Sequence, residues 1–474
     1  MRGFRGPAQR CDVDAAHSML VLVGAALCAL AGAADLPAPR WRVQRRGLQQ
    51  GAPQPERKQP NILLLFPDQW RYDWAGFEYP QTSTADTRVP VKLPTIARLA
   101  AEGTRFSQAY VPAPVCAPSR SCLASARDYD DQVATAGVPT NSHDYNITTP
   151  TFYHQLREAG YHTMVTGKDD LTKASGIGYA FGTMCGKPPC GCPECIDGSS
   201  RYHQSELGFV DGLRSAGKNG VLANFGQPRG LPFDMYGKML HNHTVALENG
   251  TRVNAWEMHI ACMLGNPTNL TGVSPLCDRT SDSQPLYEDD WVASNAIKLL
   301  ESWAKTAKAE PERPPFFMQV NFPGPHPPFA VTAEMEDAVA GVVFPNATDD
   351  DTPATLARTG GYLGRACDTH HEPWSSSIGS RTHPFGRRCD YAAELLNLDK
   401  QFERILSTVS ALGAEDDTLV CFASDHGAPL PLFLKLRSRE RLLLWPDRCP
   451  QARCLATMET TQSSFHGKAP HRSR

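Results

Sequence analysis

Two uninterrupted apolar runs, residues 62–66 (ILLLF) and 418–423 (TLVCFA), constrain this chain more than any other feature. Each has the length of a strand and stops at polar residues, Pro67-Asp68-Gln69 in one case and Ser424-Asp425-His426-Gly427 in the other. A strand apolar on both faces must be covered on both, which is the condition of a parallel sheet between helical layers. The covering helices are legible too. Residues 94–103 (PTIARLAAEG) set Ile96, Leu99 and Ala100 at helical spacing, with proline near the start and glycine after the end. Residues 151–160 (TFYHQLREAG) repeat that design and lead into a strand at 161–166. Further on, 291–305 reads as an amphipathic helix, 315–321 (PFFMQVN) as a strand ending at Pro323-Gly324-Pro325-His326-Pro327, and 391–412 as another helix. Alternating helices and strands predict an α/β fold around a largely parallel sheet. Ligands of such sheets bind at the carboxyl ends of the strands, so Asp68, Gln69, His326, Asp425 and His426 are the first candidates for a site.

The rest of the chain points to a secreted protein. Residues 19–34 are apolar, follow Arg2, Arg5 and Arg10, and end in the small-x-small pattern Ala31-Gly32-Ala33, so residues 1–34 read as a signal peptide. The run is shorter than the roughly 20 residues that span a bilayer, which leaves an uncleaved anchor as the alternative and predicts no stable membrane span. Five Asn-x-Ser/Thr sequons, at Asn146, Asn242, Asn249, Asn269 and Asn346, favour the secretory pathway and an extracellular or endolysosomal glycoprotein. Residues 35–59 form a linker, and about 175–290 and 335–388 read as surface insertions rich in glycine, proline and cysteine. Residues 429–474 are a basic tail. Of 15 cysteines two leave with the leader, so an odd 13 remain. Cys185, Cys190, Cys192 and Cys195 are dense enough for a zinc knuckle, but the compartment favours disulfides. With 47 Lys+Arg against 50 Asp+Glu and no long single-sign block, nothing calls for a nucleic-acid partner.

The stretch that carries the chemistry is Cys116-Ala117-Pro118-Ser119-Arg120. It resembles the Cys-x-Pro-Ser-Arg signature of the type I sulfatases, in the alkaline-phosphatase-like superfamily. NILLLFPDQ, PTIARLAAEGTRFSQAY, LREAGYHTMVTGKDD, PGPHPPF and the segment 390–427 resemble successive blocks of that family, in order. The resemblance covers roughly 60–172 and 290–428 and makes residues 60–428 the catalytic domain. It implies that a formylglycine-generating enzyme oxidises Cys116 to formylglycine, whose hydrate attacks sulfur with one hydroxyl and expels sulfate with the other. Twelve cysteines then remain, which removes the odd count.

The same resemblance makes Asp68, Gln69, Asp425 and His426, with the oxidised Cys116, the ligands of one divalent cation. Calcium is the family default, magnesium fits the same oxygen donors, and the imidazole moves the balance toward manganese. The Asp-Gln and Asp-His pairing resembles a subset of the family, arylsulfatase/choline-sulfatase-like, that includes choline-sulfatase-like and phosphonate-hydrolase-like enzymes. Arg120 is expected to hold the aldehyde hydrate, Lys168 to contact nucleophile and sulfate, and His326 to protonate the leaving oxygen. Two residues after Lys168 the family often has histidine, and this chain has Asp170. Leu123-Ala124-Ser125 stands in place of the family's Leu-Thr-Gly.

After Gly427 the resemblance stops, so the usual small C-terminal domain looks truncated, and a second sulfate lysine is missing unless Lys435 or Lys468 replaces it. The expected function is hydrolysis of sulfate monoesters of a small molecule or glycan, with poor activity for the chain as written. The alternatives are a phosphonate monoester or phosphodiester hydrolase of the same fold, or an inactive relative acting as a binding protein.

Overall fold

The computed structural model describes residues 59–75, 91–106, 109–141, 143–168, 170–171, 206–218, 235–246, 250–264, 286–306, 314–327, 331–343, 367 and 386–427. The strands among them, in chain order, are β1 (Asn61–Pro67), β2 (His162–Lys168), β3 (Asp211–Ser215), β4 (Thr244–Ala246), β5 (Arg252–Asn254), β6 (Phe316–Phe322) and β7 (Thr418–Phe422). The helices are α1 (Pro94–Glu102), α2 (Cys116–Ser125), α3 (Tyr129–Thr135), α4 (Phe152–Glu158), α5 (Met235–His241), α6 (Ala255–Leu264), α7 (Glu288–Thr306), α8 (Ala333–Val339) and α9 (Gly386–Ala411).

Five strands form one sheet in the order β3-β2-β6-β1-β7, with every neighbouring pair parallel. Strands β4 and β5 pair separately and antiparallel. Parallel pairing throughout puts all five carboxyl ends along one edge, and it makes β6, β1 and β7 neighbours there.

The apolar runs do what their composition requires. Successive side chains of a strand point to opposite faces. Leu63 and Leu65 of β1, with Met164, Phe316, Met318 and Val320, pack against α7 and α9 through Leu300, Trp303, Leu398 and Phe402. Ile62, Leu64 and Phe66, with Val165 and Phe317, face the other way onto α2 and α4 through Ala117, Leu123, Phe152 and Leu156. Residues Ile62 to Phe66 are each 0% exposed. Burying such a side chain is worth about 1.5–3 kcal/mol, so this central strand anchors both layers.

Several boundaries move. Strand β2 runs two residues past the expected 166, which brings Lys168 to the functional edge. Helix α7 starts three residues earlier than its apolar spacing, because Glu288, Asp289 and Asp290 form its first turn, where acidic groups suit the helix dipole. The stretch 175–290 is not wholly a surface insertion. It contains β3, hydrogen-bonded to β2, and Tyr236, Leu240, Trp256 and Met258 join the core. Strand β3 (DGLRS) escapes a search for apolar runs because it is a polar strand, paired on one side only among the described residues.

Cys367 and Cys389 form a disulfide, while Cys122 and Cys421 are free thiols beside Cys116 among the described residues. The even remainder of cysteines therefore does not mean complete pairing. The leader, nearly all of the 35–59 linker, the Cys185–195 cluster, most of 335–388, Lys435, Lys468 and the tail lie outside the described residues. No described helix is long and apolar enough to cross a membrane.

Candidate active site at the carboxyl edge of the sheet

Asp68 is the first residue beyond β1, and its N–H donates to the carbonyls of Phe322 (3.0 Å) and Gly324 (3.1 Å) at the end of β6. Its carboxyl group is wholly buried. Asp425 follows β7 by the same logic. Its Oδ1 accepts the backbone N–H groups of Gln69 (3.0 Å) and His426 (2.7 Å), so the two strand ends are tied through one carboxylate. Gln69 has φ 65°, in the left-handed region that a residue with a side chain seldom enters. Tyr391 of α9 secures that turn, donating its hydroxyl to Gln69 O and accepting from Arg71 N, both at 2.8 Å.

Helix α2 starts at Cys116 and buries nine of its ten residues. Pro118 is tolerated because it lies in the first turn, where backbone N–H groups have no intrahelical acceptor. One of those donors, Ala117 N, is met by Asn141 Oδ1 at 2.9 Å. Ser119 Oγ donates to the Asp425 carbonyl, docking the helix onto the end of β7. Its N-terminus, the positive end of the helix dipole, thus lies among the site residues and favours an anion there.

Asp68, Cys116, Asp425 and His426 each offer a donor atom, and these atoms lie within 4.8 Å of one another, all buried. Cys116 Sγ is 3.3 Å from His426 Nε2 and 3.8 Å from Asp68 Oδ1. His426 Nε2 is 3.9 Å from Asp68 Oδ1 and 3.8 Å from Asp425 Oδ2. Two carboxylates and an imidazole at this spacing fit a divalent cation. The electrostatics agree with that fit. Burial alone would lower the His426 pKa, yet Asp425, Cys116 and Asp68 raise it to about 10. A proton thus finds in the protein alone the field that a cation would neutralise. Gln69 adjoins the group through its main chain and is half-buried.

Burial would push the Asp68 carboxyl up, but Lys168, His326, Arg120 and His426 outweigh it and hold the group well below the usual carboxylate range. Lys168 Nζ contacts Asp68 Oδ2 and lies 3.0 Å from Asp170 Oδ2. Against burial, those carboxylates keep the ammonium protonated. Arg120, 2% exposed, directs Nε to Asp425 Oδ2 (3.1 Å) and Nη1 to Lys168 O (2.9 Å) and Asn321 Oδ1 (3.3 Å). Its donors thus serve the protein's own groups. Burial lowers the His326 pKa to about 3, so this imidazole is neutral at physiological pH, with Nδ1 against the Pro327 carbonyl. The Cys116 thiol is pushed up by burial and by the charge of Asp68.

All the site residues expected from the sequence except His326 and Gln69 are linked by direct side-chain contacts; Gln69 joins through its main chain, and no direct side-chain contact between His326 and the cluster is described. Asn321, Asn141, Tyr391 and Asp289 were not expected. Asp289 Oδ1 accepts Gly324 N at 2.9 Å, two residues before His326. Asn321, which ends a strand-length apolar run as Asp68 does, carried the one signal that could have been read.

The chain matches the family described as Sulfatase over residues 60–192 and 208–446. The match runs past Gly427, where the motif resemblance stops, and takes in Lys435 but not Lys468. Choline-sulfatase of Rhizobium meliloti (strain 1021) is 23% identical over 374 residues, 78% of this chain and 57% of that protein. The multifunctional alkaline phosphatase superfamily protein PehA of Trinickia caryophylli is 24% identical over 382 residues, 78% of this chain and 63% of that protein. The chain therefore spans less than two thirds of the length of these curated relatives. Among solved structures, the phosphonate monoester hydrolase of Agrobacterium radiobacter aligns with a TM-score of 0.43 at 20% identity, covering 78% of this chain and 63% of that one.

Proposed function

Because this chain belongs to the sulfatase family, we propose that it is a sulfuric ester hydrolase acting on sulfate monoesters of small molecules or glycans. The observation that carries this reading is the gathering of Asp68, Cys116, Asp425 and His426 within 4.8 Å at the carboxyl edge of the sheet. A divalent cation held there by Asp68, Gln69, Asp425 and His426, calcium by family default, would lower the pKa of the nucleophile and neutralise the sulfuryl oxygens. Oxidised by the formylglycine-generating enzyme and hydrated, Cys116 supplies one hydroxyl to attack sulfur and a second to expel sulfate.

The remaining work falls to side chains already in place. Lys168 and the N-terminus of α2 attract the ester anion. Arg120 keeps the two ligating carboxylates and the end of β2 in one arrangement, a task its planar fork suits. His326 is neutral before substrate enters, so it serves the leaving oxygen only after the anion's charge has raised its basicity. The buried Cys367–Cys389 disulfide supports residence in the secretory pathway, where such bonds persist.

The test uses the full chain from a eukaryotic secretory host that converts a control sulfatase. Turnover of an aryl sulfate, lost in Cys116→Ala, together with formylglycine in the Cys116 peptide by mass spectrometry, is the expected result. Turnover of an aryl phosphonate in place of the sulfate would move the assignment to phosphonate monoester or phosphodiester hydrolysis. Turnover of neither, with formylglycine present, would leave an inactive binding protein.

A further inference from the structure

Lys168 is gripped from three sides. Its ammonium meets Asp68 Oδ2 on one side and Asp170 Oδ2, at 3.0 Å, on the other. Its stem is pressed by the loop after β3, where a Cβ added to Gly217 (φ 71°) would lie 2.7 Å from Lys168 Cδ. Asp170 has φ 54°, a left-handed conformation that aspartate tolerates better than most residues, and this turn sets its carboxylate on Lys168. Asp170 also acts through charge on Arg120.

The charges joined by direct ion pairs around Lys168 and Arg120 can be counted. Asp68, Asp170 and Asp425 are three carboxylates against the two cations Arg120 and Lys168, a balance of one negative charge. His326 is neutral through burial, and His426 is neutral when it ligates a cation. One divalent ion then brings the centre to a single positive charge. A singly charged anion leaves it neutral. A doubly charged anion leaves an uncompensated negative charge among buried side chains, which is costly.

We propose that Asp170 is a specificity-determining residue, which by taking one side of the Lys168 ammonium holds the anion pocket at one net positive charge and so selects singly charged esters over doubly charged ones. The proposal rests on the reading of this edge as a metal-dependent ester-hydrolase site. It assigns to Asp170 a role exerted through Lys168, without contact to the reacting atoms.

The experiment compares two tetrahedral probes, methanesulfonate with one charge and inorganic sulfate with two, by titration calorimetry on the calcium-loaded full chain. Wild type is expected to bind methanesulfonate more tightly than sulfate, and the reverse order overturns the proposal. In Asp170→Asn, which is isosteric, the affinity for sulfate relative to methanesulfonate should rise about tenfold or more, the effect of a unit charge removed from a partly dehydrated pocket. Asp170→Glu should restore the wild-type ratio. Mere loosening of the site would weaken both probes and leave the ratio unchanged, and an unchanged ratio in folded Asp170→Asn refutes the role. If Asp170→Asn does not fold, the order of affinities in wild type decides. Failure to turn over any sulfate ester, with the ratio shift intact, would count against the proposed function alone, whereas binding of neither probe overturns both.

Discussion

Arg120 and Asp425 form a fully buried ion pair in which Nε and Nη2 lie 3.1 and 3.0 Å from the same carboxylate oxygen, Oδ2. The other oxygen is engaged by Gln69 N and His426 N, so both strand ends and helix α2 converge on one side chain. With Nη1 on Lys168 O and Asn321 Oδ1, Arg120 also joins the ends of β2 and β6. Arg120→Lys keeps the charge but cannot span these partners. It should cost about 3 kcal/mol or more of stability, since a buried pair left incomplete is strongly destabilising. Thermal melts with and without calcium measure this, and a variant that melts with wild type would show the fork to be dispensable.

Cys116→Ala should behave in the opposite way. The side chain is 4% exposed and small, and alanine is acceptable at the start of a helix. Turnover should vanish while stability changes by about 1 kcal/mol or less. Unconverted Cys116 should in addition resist iodoacetamide at neutral pH in metal-free protein, because burial and the charge of Asp68 keep it a thiol. Rapid labelling of that residue in the native state would contradict the assignment of its protonation.

Asp289 supplies a pH test on a carboxyl that does not hold the cation. Its Oδ1 accepts Gly324 N, while Oδ2 has no hydrogen-bond partner among the described residues. Burial raises its pKa from 3.8 to about 6. A folded pKa above the unfolded one means that the contribution to stability is fully present below pH 3.8 and is lost as pH rises through about 6. Asp289→Asn keeps an acceptor for Gly324 and carries no charge. It should be more stable than wild type at pH 8 by about 1–3 kcal/mol, with the difference closing toward pH 4. A variant less stable than wild type at pH 8 would sink this reading.

What the sequence discloses here follows from what is local. The runs in β1 and β7 are legible because both their faces are buried, and the Cys116 motif is legible because the chemistry needs those residues in that order. Strand β3 is not, since a strand of Asp, Gly, Leu, Arg and Ser carries no apolar pattern. Tyr391 reads as one more apolar position of a helix, and only the folded chain shows its hydroxyl bracing the turn at Gln69. The protonation of His326 is equally hidden, because it depends on how deeply a proline-rich turn is buried.

Removing the metal should expose a linkage between proton and cation. In unconverted protein without a cation, Asp425, Cys116 and Asp68 raise the His426 pKa to about 10 against the opposing effect of burial, so the imidazolium takes the cation's place at neutral pH. A histidine whose folded pKa is raised stabilises fully below its unfolded value of 6.5, and that contribution fades as pH climbs toward about 10. A bound divalent ion needs the neutral imidazole and displaces this proton. The chelated protein should therefore lose stability from pH 6.5 to pH 9, by about 2–4 kcal/mol, while the calcium-loaded protein should hold nearly constant. The calcium-induced rise in melting temperature should widen over the same range, with close to one proton released per ion bound, readable by calorimetry in two buffers of different ionisation enthalpy. His426→Asn retains an oxygen donor without a titrating ring and should flatten the pH dependence of the metal-free protein. A calcium effect that stays constant from pH 6.5 to pH 9 in wild type would mean that His426 is not where the proton and the cation compete.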